Sequence, residues 1–136
     1  MDVRELDAEA ERREAVPILR QLWPDANPKE VIDWTSEEEY HLFGRFDGDD
    51  LVGVAGVQLG NHLHHARIAW LYDLVVDEPR RGGGHGTALL EHVEAWAAQQ
   101  DCEYVALANP LDGGAVHEYY ESRDYEKWGY VIEKEL

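Results

Sequence analysis

The chain contains little cysteine and has no long apolar run. Cys102 is the only cysteine among 136 residues, which excludes an intrachain disulfide and a thiolate cluster for a metal. No apolar run reaches the roughly 18 residues of a membrane span, and the N-terminus has no signal-peptide pattern. We therefore expect a single cytoplasmic domain over residues 1–136, with no metal and no membrane segment.

Positive charge is also scarce. Twelve Lys and Arg residues stand against 29 Asp and Glu, which gives a net charge of −17. No basic face is available for nucleic acid, so we expect no nucleic-acid partner. The composition resembles that of proteins that work in molar salt, as in halophilic archaea, where screening relieves self-repulsion. A cationic substrate or partner is the alternative explanation of the charge.

The apolar periodicity predicts alternating helices and strands without repeats or linkers. Strands are predicted at 2–6, 40–46, 51–59, 67–76, 104–108 and 125–136. Helices are predicted at 7–23, where Pro24 should end the helix, at 27–34 and 87–99, and from just after Gly113-Gly114 to about Arg123. The connection from the strand at 67–76 through a helix to the strand at 104–108 should be a right-handed parallel crossover.

One segment carries the strongest chemical signal. The apolar strand Leu71–Val76 leads into a basic, glycine-rich turn, and this turn opens an amphipathic helix near Thr87. Glycines allow close backbone approach, and the first amides of a helix lie at the positive end of its dipole. Arg80 and Arg81 add hydrogen-bond donors suited to phosphate oxygens. A strand followed by this basic glycine turn and a helix start therefore predicts an anion site.

Two common phosphate loops do not fit this spacing. A Walker loop needs a lysine before its Ser or Thr, and here Thr87 follows Gly86 directly. A dinucleotide fingerprint would need glycine or alanine where Thr87 or Leu89 stands. The remaining pattern is Arg-x-x-Gly-x-Gly over residues 81–86.

This pattern resembles the acetyl-CoA pyrophosphate loop of the GNAT superfamily of N-acetyltransferases, and the likeness extends over residues 73–90. A second segment, residues 115–126, resembles that family's helix-then-turn motif. It contains the triplet Tyr119-Tyr120-Glu121 and the later aromatic Tyr125, with Asp124 where the family usually has glycine. Asp tolerates a left-handed turn better than most residues. The resemblance covers residues 50–136 well and residues 1–49 only in outline.

The resemblance implies an α/β GNAT fold. Its mostly antiparallel sheet would hold a parallel, splayed strand pair at the middle, with pantetheine in the gap and helices on both faces. It also implies acetyl-CoA as co-substrate. The implied cofactor-binding residues are Leu74, Val75, Val76, Arg80, Arg81, Gly82, Gly83, Gly84, His85, Gly86 and Thr87. The side chain of His85 occupies the free position of the motif and is assigned no role.

The implied reaction moves an acetyl group from acetyl-CoA directly to a primary amine, without an acetylated enzyme. Tyr120 is the predicted donor to the departing thiolate, whereas Tyr119 fits a packing role. Asp73 is the predicted base, and a purely structural carboxylate is an equal alternative. The run Glu37–Glu39 is expected near the acceptor side or as a solvated helix end.

Several alternatives stay open at this point. Trp23, Trp34 and Trp70 are expected in the core or as walls of an acceptor pocket, and the core is favoured. Three histidines in one loop (His62, His64, His65) have spacing that could suit zinc, although no cysteine lies nearby. The domain could instead be a non-catalytic acyl-CoA sensor. The acceptor is not identified, and the resemblance also allows a homodimer.

Overall fold

A computed structural model describes residues 2–61 and 67–136, which form two compact units, Met1–Ala106 and Leu107–Leu136. The first unit contains strands β1 (Asp2–Glu5), β2 (Tyr40–Asp47), β3 (Asp50–Asn61), β4 (Arg67–Val76) and β5 (Tyr104–Ala106). Its helices are α1 (Glu9–Leu19), α2 (Pro28–Trp34) and α3 (His85–Gln99), with a 3₁₀ turn at Glu78–Arg80. The second unit contains α4 (Gly114–Glu121).

The five strands form one sheet in the order β1-β2-β3-β4-β5. Neighbouring strands from β1 to β4 pair antiparallel, and β4 pairs parallel with β5. The parallel pairing is short, since it joins Ile68–Trp70 only to Tyr104–Ala106. A mixed, mostly antiparallel sheet with one parallel pair is therefore confirmed. In the described residues this pair lies at one edge of the sheet rather than at its middle.

The helices of the first unit cover opposite faces of the sheet. Residues of α1 and α2 share one buried cluster with Leu42, Val54 and Val75. On the other face Phe43, only 1% exposed, packs its ring against the rings of His92 and Trp96 on α3, with centroids 5.3 and 5.0 Å apart. Neighbouring residues of a strand point to opposite faces of the sheet. Leu42 therefore packs on the face covered by α1 and α2, and Phe43 packs on the face covered by α3.

Helix α1 ends at Leu19, earlier than the prediction of residue 23. The chain tightens there: the Gln21 amide donates to the Ile18 carbonyl oxygen, and the Leu22 amide donates to that of Leu19. These bonds span three residues and end the α-helix before Pro24 is reached. Trp23 therefore follows the helix, from where its indole reaches β4.

The predicted C-terminal strand over residues 125–136 is wrong. No strand forms there, and the apolar side chains of this segment are largely exposed, with Ile132 at 92% and Trp128 at 85%. Alternation predicts that a segment can form a strand, but a strand also needs a neighbour for its backbone hydrogen bonds. No other strand is described within the second unit, so its chain after α4 has no such neighbour there.

The acidic composition predicts that the fold depends on salt. With 29 acidic against 12 basic residues, self-repulsion acts on the folded state, and at about 1 M salt the screening length falls to about 3 Å. We expect the melting temperature to fall steadily as KCl is lowered from molar to millimolar concentration. Thermal unfolding followed by circular dichroism measures this, and a melting temperature that stays flat across the range would contradict it.

Candidate active site

The chain after β4 forms a turn that only glycine adopts without strain. Beyond Val76 the 3₁₀ turn Glu78–Arg80 leads to Gly82 and Gly84, whose φ angles are +85° and +82°. These values lie in the left-handed region, where a Cβ is unfavourable. The two glycines reverse the chain direction and place the start of α3 directly after the turn.

Helix α3 begins at this turn, and no side chain caps its first amides. Gly84 is the N-cap, and the first helical hydrogen bond runs from the Ala88 amide to the Gly84 carbonyl oxygen at 3.1 Å. The amides of His85 and Gly86 come before this bond and have no carbonyl acceptor in the helix. Together with the helix dipole, they form a positive site suited to a phosphate oxygen.

Gly86 is a glycine that the fold itself does not require. Its φ lies outside the left-handed region, and a Cβ placed on it would meet only the Cγ2 atom of Val76, at an ordinary 3.5 Å. Glycine inside a helix costs roughly 0.5–1 kcal/mol relative to alanine. The missing side chain therefore relieves no strain within the protein, and its effect is to leave the amide surface open.

The two arginines of the turn are held differently. Arg80 forms an ion pair with Asp47, at the end of β2. The Arg81 Nε atom donates to the Val76 carbonyl oxygen at 2.9 Å, and its Nη2 atom donates to Gln21 at 3.1 Å. Arg81 thus lies over the end of β4 with its side chain exposed, next to the glycine turn.

Gln21 fixes the base of the turn from the far side of the chain. Its Nε2 atom donates to Asp77 at 2.7 Å, and its Oε1 atom accepts from the Glu78 amide and from Arg81, both at 3.1 Å. One side chain, more than fifty positions away in sequence, therefore connects three successive parts of the loop. The sequence offered no signal for this contact.

His85 anchors the turn to the sheet. The residue is 6% exposed, and its Nδ1 atom accepts a hydrogen bond from the Arg45 Nε atom of β2 at 3.3 Å. A Cβ on Gly83 would meet the imidazole at 3.2 Å, so the ring packs closely beneath the turn. The His85 side chain, to which the motif assigned no role, therefore supports the glycine turn by packing between it and the sheet.

β4 presents a backbone edge beside the turn. Leu74, Val75 and Val76 pair with β3 on one side. On the other side the pairing with β5 ends at Trp70, so within the described ranges the rest of β4 has no strand partner on that edge. An extended ligand with amide groups could add to this edge as a strand does.

Asp73 lies at the centre of a buried hydrogen-bond network. The residue is 8% exposed, and its Oδ1 atom accepts from the Trp23 indole nitrogen at 2.7 Å. Its Oδ2 atom accepts from the Tyr40 hydroxyl at 2.9 Å. Trp23 itself is 45% exposed and contacts the ring of Trp34 edge to face, at 6.2 Å. The favoured core placement of Trp23 and Trp34 is therefore wrong, because both rings remain near the surface.

Gly56 makes this network possible. It lies opposite Asp73 in the β3–β4 register, and a Cβ on it would lie 1.8 Å from the Tyr40 hydroxyl. The register then shifts, since Val57 lies opposite Leu71 and leaves Tyr72 as the extra residue of a bulge. Such a bulge changes the direction of nearby side chains, which is consistent with Asp73 pointing inward while Tyr72 is exposed.

Burial sets the protonation of this pair. It raises the pKa of Asp73 above the ordinary 3.8, while the hydrogen bonds from Trp23 and Tyr40 lower it in part. Burial also raises the pKa of Tyr40 well above 10, and the neighbouring Asp73 charge adds to the rise. Tyr40 therefore stays protonated and acts as a donor to the carboxylate.

In the second unit, α4 holds Tyr120 between two other tyrosines. The Tyr120 ring contacts those of Tyr119 and Tyr125, with both centroids 5.3 Å away. Asp124 adopts φ +69°, which confirms the expected left-handed turn and lets the Tyr125 amide donate to the Tyr120 carbonyl oxygen at 3.1 Å. Burial, with a smaller effect of Tyr119, raises the pKa of Tyr120 to about 12.

The acidic run Glu37–Glu39 is fixed against β3. The Glu38 carbonyl oxygen accepts from the Gln58 side chain at 3.0 Å, and the Glu39 carbonyl oxygen accepts from the Leu59 amide at 3.1 Å. Glu39 has φ +64°, which turns the chain into β2. The run is therefore held beside the sheet rather than extending freely from the end of α2.

The histidine hypothesis falls outside the described part of the chain, because His62, His64 and His65 all lie in residues 62–66. Within residues 2–61 and 67–136, no group of three His, Cys, Asp or Glu side chains could hold a metal ion. The helices of the same residues are all too short or too polar to cross a membrane.

Comparison with known proteins fits this geometry. The sequence profile of the acetyltransferase (GNAT) family matches residues 3–125. The uncharacterized N-acetyltransferase YhdJ of Bacillus subtilis (strain 168) is 25% identical over 138 residues, which span 98% of this chain and 94% of that protein.

Solved structures share the fold over nearly the whole chain. An aminoglycoside N-acetyltransferase in complex with CoA superposes with a TM-score of 0.87 at 15% identity, covering 99% of this chain and 93% of that one. A putative acetyl transferase from Pyrococcus furiosus superposes with a TM-score of 0.79 at 23% identity, covering 99% and 100%. With the family profile spanning most of the sequence, the chain belongs to the GNAT family of acetyltransferases.

Proposed function

We propose that this protein transfers an acetyl group from acetyl-CoA directly to a primary amine. The observation that carries the proposal is the glycine turn at the end of β4, where Gly86 leaves the first amides of α3 open although the fold does not require a glycine there. A phosphate group suits this helix terminus with Arg81 beside it, and the pyrophosphate of acetyl-CoA is the anion that the proposed reaction requires.

In this proposal the pantetheine arm lies along the unpaired edge of β4. The backbone of Leu74, Val75 and Val76 would bond its amides, as a strand bonds its neighbour. The turn residues 80–87 would hold the phosphates. Arg80 is the least available of them, because its side chain already pairs with Asp47. The thioester carbonyl then lies near the bulge of β4, within reach of an amine on the Tyr72 side of the strand.

Tyr120 is the proposed donor to the sulfur that leaves. The amine nitrogen attacks the thioester carbonyl, the C–S bond breaks as the tetrahedral intermediate collapses, the electron pair moves onto sulfur, and the nitrogen releases its extra proton to solvent to give the neutral amide. A phenol with a pKa of about 12 stays protonated while a thiolate forms, whose parent thiol has a pKa of about 8.5. Tyr120 therefore stabilises the thiolate by donating a hydrogen bond rather than by giving up its proton completely.

Cys102 is not expected to carry the acetyl group. Burial raises the pKa of its thiol, which keeps the sulfur protonated and weakly nucleophilic. It also lies between α3 and β5, beyond the glycine turn in sequence. The proposal is therefore direct transfer without a covalent enzyme intermediate.

Asp73 is the proposed acceptor of the proton that the ammonium group loses. A carboxylate offers about four lone-pair directions, and the bonds from Trp23 and Tyr40 use two of them. The raised pKa brings the group closer to the range in which a base works well. The lower limb of the pH profile of kcat/KM should then follow the titration of Asp73.

This role predicts opposite results for two substitutions. Asp73→Asn should remove the lower limb, because amide nitrogen and oxygen do not titrate. Tyr40→Phe should move the limb to higher pH, because it deletes a hydrogen bond that lowers the Asp73 pKa. The measurement is kcat/KM against pH for the three proteins. A limb that stays in place in Asp73→Asn would leave Asp73 as a structural carboxylate only.

Acetyl-CoA binding is tested first, by thermal unfolding in molar KCl with and without acetyl-CoA. A ligand at 100 times its dissociation constant should add about 2.7 kcal/mol to the free energy of unfolding, which raises the melting temperature. No rise at millimolar acetyl-CoA, in protein shown to be folded, would mean that the glycine turn binds no cofactor and would overturn the proposal.

A further inference from the structure

A groove lies on the α1 and α2 face of the sheet, where the two helices do not cover it. Tyr40, Gln58 and Trp70 lie opposite one another across β2, β3 and β4, and Tyr40 packs against the buried cluster that contains α1 and α2. Beside this row is a cavity of about 340 Å³. It is lined by Gln58, Leu59, Gly60, Ile68, Trp70 and Tyr72. That volume is at the lower end of the range for small-molecule sites.

The walls of the groove are apolar and aromatic. The rings of Trp70 and Tyr72 lie 6.2 Å apart at an angle of 54°, and Tyr72 is 54% exposed. Tyr72 is also the extra residue of the β4 bulge, a device that turns a side chain away from the regular pleat. An exposed aromatic pair in a concavity has apolar area to bury against a ligand.

The groove lies on a protein whose net charge is −17. None of its six lining residues is basic. Hydrogen bonds from Gln58 and Leu59, both of which line it, hold the backbone of Glu38 and Glu39 at its rim. Asp73 follows Tyr72 directly in the chain. A cation is favoured in such surroundings, whereas a ligand carboxylate finds no basic partner among the lining residues.

We propose that this groove binds the acceptor, and that the acceptor is a primary amine on an aromatic or apolar body that carries no carboxylate. The inference rests on the proposed acetyl transfer and narrows its substrate class. The planar body lies against Trp70 and Tyr72, while the net charge of −17 on the protein favours the ammonium group. Amino acids are disfavoured, because their carboxylate would be desolvated and none of the described residues that line the groove is a basic partner for it.

Direct binding tests this independently of turnover. The protein is saturated with coenzyme A, and tryptamine and tryptophan are titrated by calorimetry at the lowest KCl concentration at which it stays folded. Tryptamine should bind about ten-fold more tightly than tryptophan, since the two differ only in the carboxylate. The ratio should shrink as KCl is raised, because salt screens the negative charge of the protein.

Two variants of one residue provide the control. Tyr72→Ala should weaken tryptamine binding about ten-fold, whereas Tyr72→Phe keeps the ring and should bind like the natural protein. Coenzyme A affinity should be the same in all three, and the exposure of Tyr72 makes both substitutions compatible with folding. Equal affinity for tryptophan, no tryptamine binding, or no effect of Tyr72→Ala would overturn the groove assignment.

The two proposals can fail separately. Tryptamine that binds as expected but is not acetylated would contradict acetyl transfer and support the groove. Acetylation of other amines by a protein that does not bind tryptamine would support acetyl transfer and contradict the groove.

Discussion

Tyr120→Phe should lower kcat about 100-fold while leaving the affinity for acetyl-CoA unchanged. The phenol hydroxyl is the only group removed, and a hydrogen bond to a charged acceptor is worth about 1.5–3 kcal/mol. The loss should appear in kcat because the thiolate charge develops only after binding. Steady-state release of coenzyme A measures kcat, and the thermal shift with acetyl-CoA measures binding.

Tyr119→Phe is the matched control for this prediction. It removes the same atom from the neighbouring residue of α4, whose ring packs against that of Tyr120. Turnover should stay close to that of the natural protein. Equal losses in both variants would mean that the tyrosine cluster stabilises α4 and that neither hydroxyl takes part in the reaction.

Gly86→Ala should weaken acetyl-CoA binding about 10–100-fold without destabilising the protein. The added methyl group meets only Val76, at an ordinary contact distance, so the fold accepts it. Alanine is a better helix residue than glycine, so the free energy of unfolding should stay level or rise by up to about 1 kcal/mol. Losing one or two charge-assisted bonds to the phosphates accounts for the weaker binding.

Gly114→Ala serves as its control. Gly114 also opens a helix, and a Cβ placed there meets nothing within 4 Å. Both variants should be at least as stable as the natural protein, but only Gly86→Ala should lose the thermal shift with acetyl-CoA. Full acetyl-CoA affinity in Gly86→Ala would show that the open amide surface is not the phosphate site.

The sequence predicted best where local signals agreed. β4 was predicted at residues 67–76 and forms over Arg67–Val76, because an apolar run bounded by turn residues specifies a strand locally. The glycine turn was also located, although α3 begins at His85 and not at Thr87. Gly84 is the N-cap, and its carbonyl oxygen accepts the first helical hydrogen bond from the Ala88 amide, so the helix begins two residues before Thr87.

Contacts between distant residues were not predictable in the same way. Asp73 was a candidate from the motif, but its partners lie 50 and 33 residues earlier in the chain, at Trp23 and Tyr40. Their meeting depends on the early end of α1 and on the missing side chain of Gly56. Neither feature changes the hydrophobic periodicity of the sequence, so the network could be found only from the tertiary structure.

β4 thus separates two kinds of chemistry. Its edge toward β5 and its C-terminal turn offer backbone groups and positive charge, which suit the cofactor. Its face toward α1 and α2 offers the buried carboxylate of Asp73 and the exposed ring of Tyr72, which suit an amine. The bulge at Tyr72 lies where these two regions adjoin, so the proposed acetyl transfer would take place beside it.

The central claim is acetyl transfer from acetyl-CoA to an amine, and product analysis tests it most directly. The protein in molar KCl is incubated with isotopically labelled acetyl-CoA and an amine panel that includes tryptamine. The products are then separated and identified by mass spectrometry. We predict an amide carrying the labelled acetyl group, formed in step with released coenzyme A and formed about 100-fold more slowly in Tyr120→Phe. Protein that is stabilised by acetyl-CoA yet acetylates no amine of the panel would contradict the claim and indicate an acyl-CoA sensor.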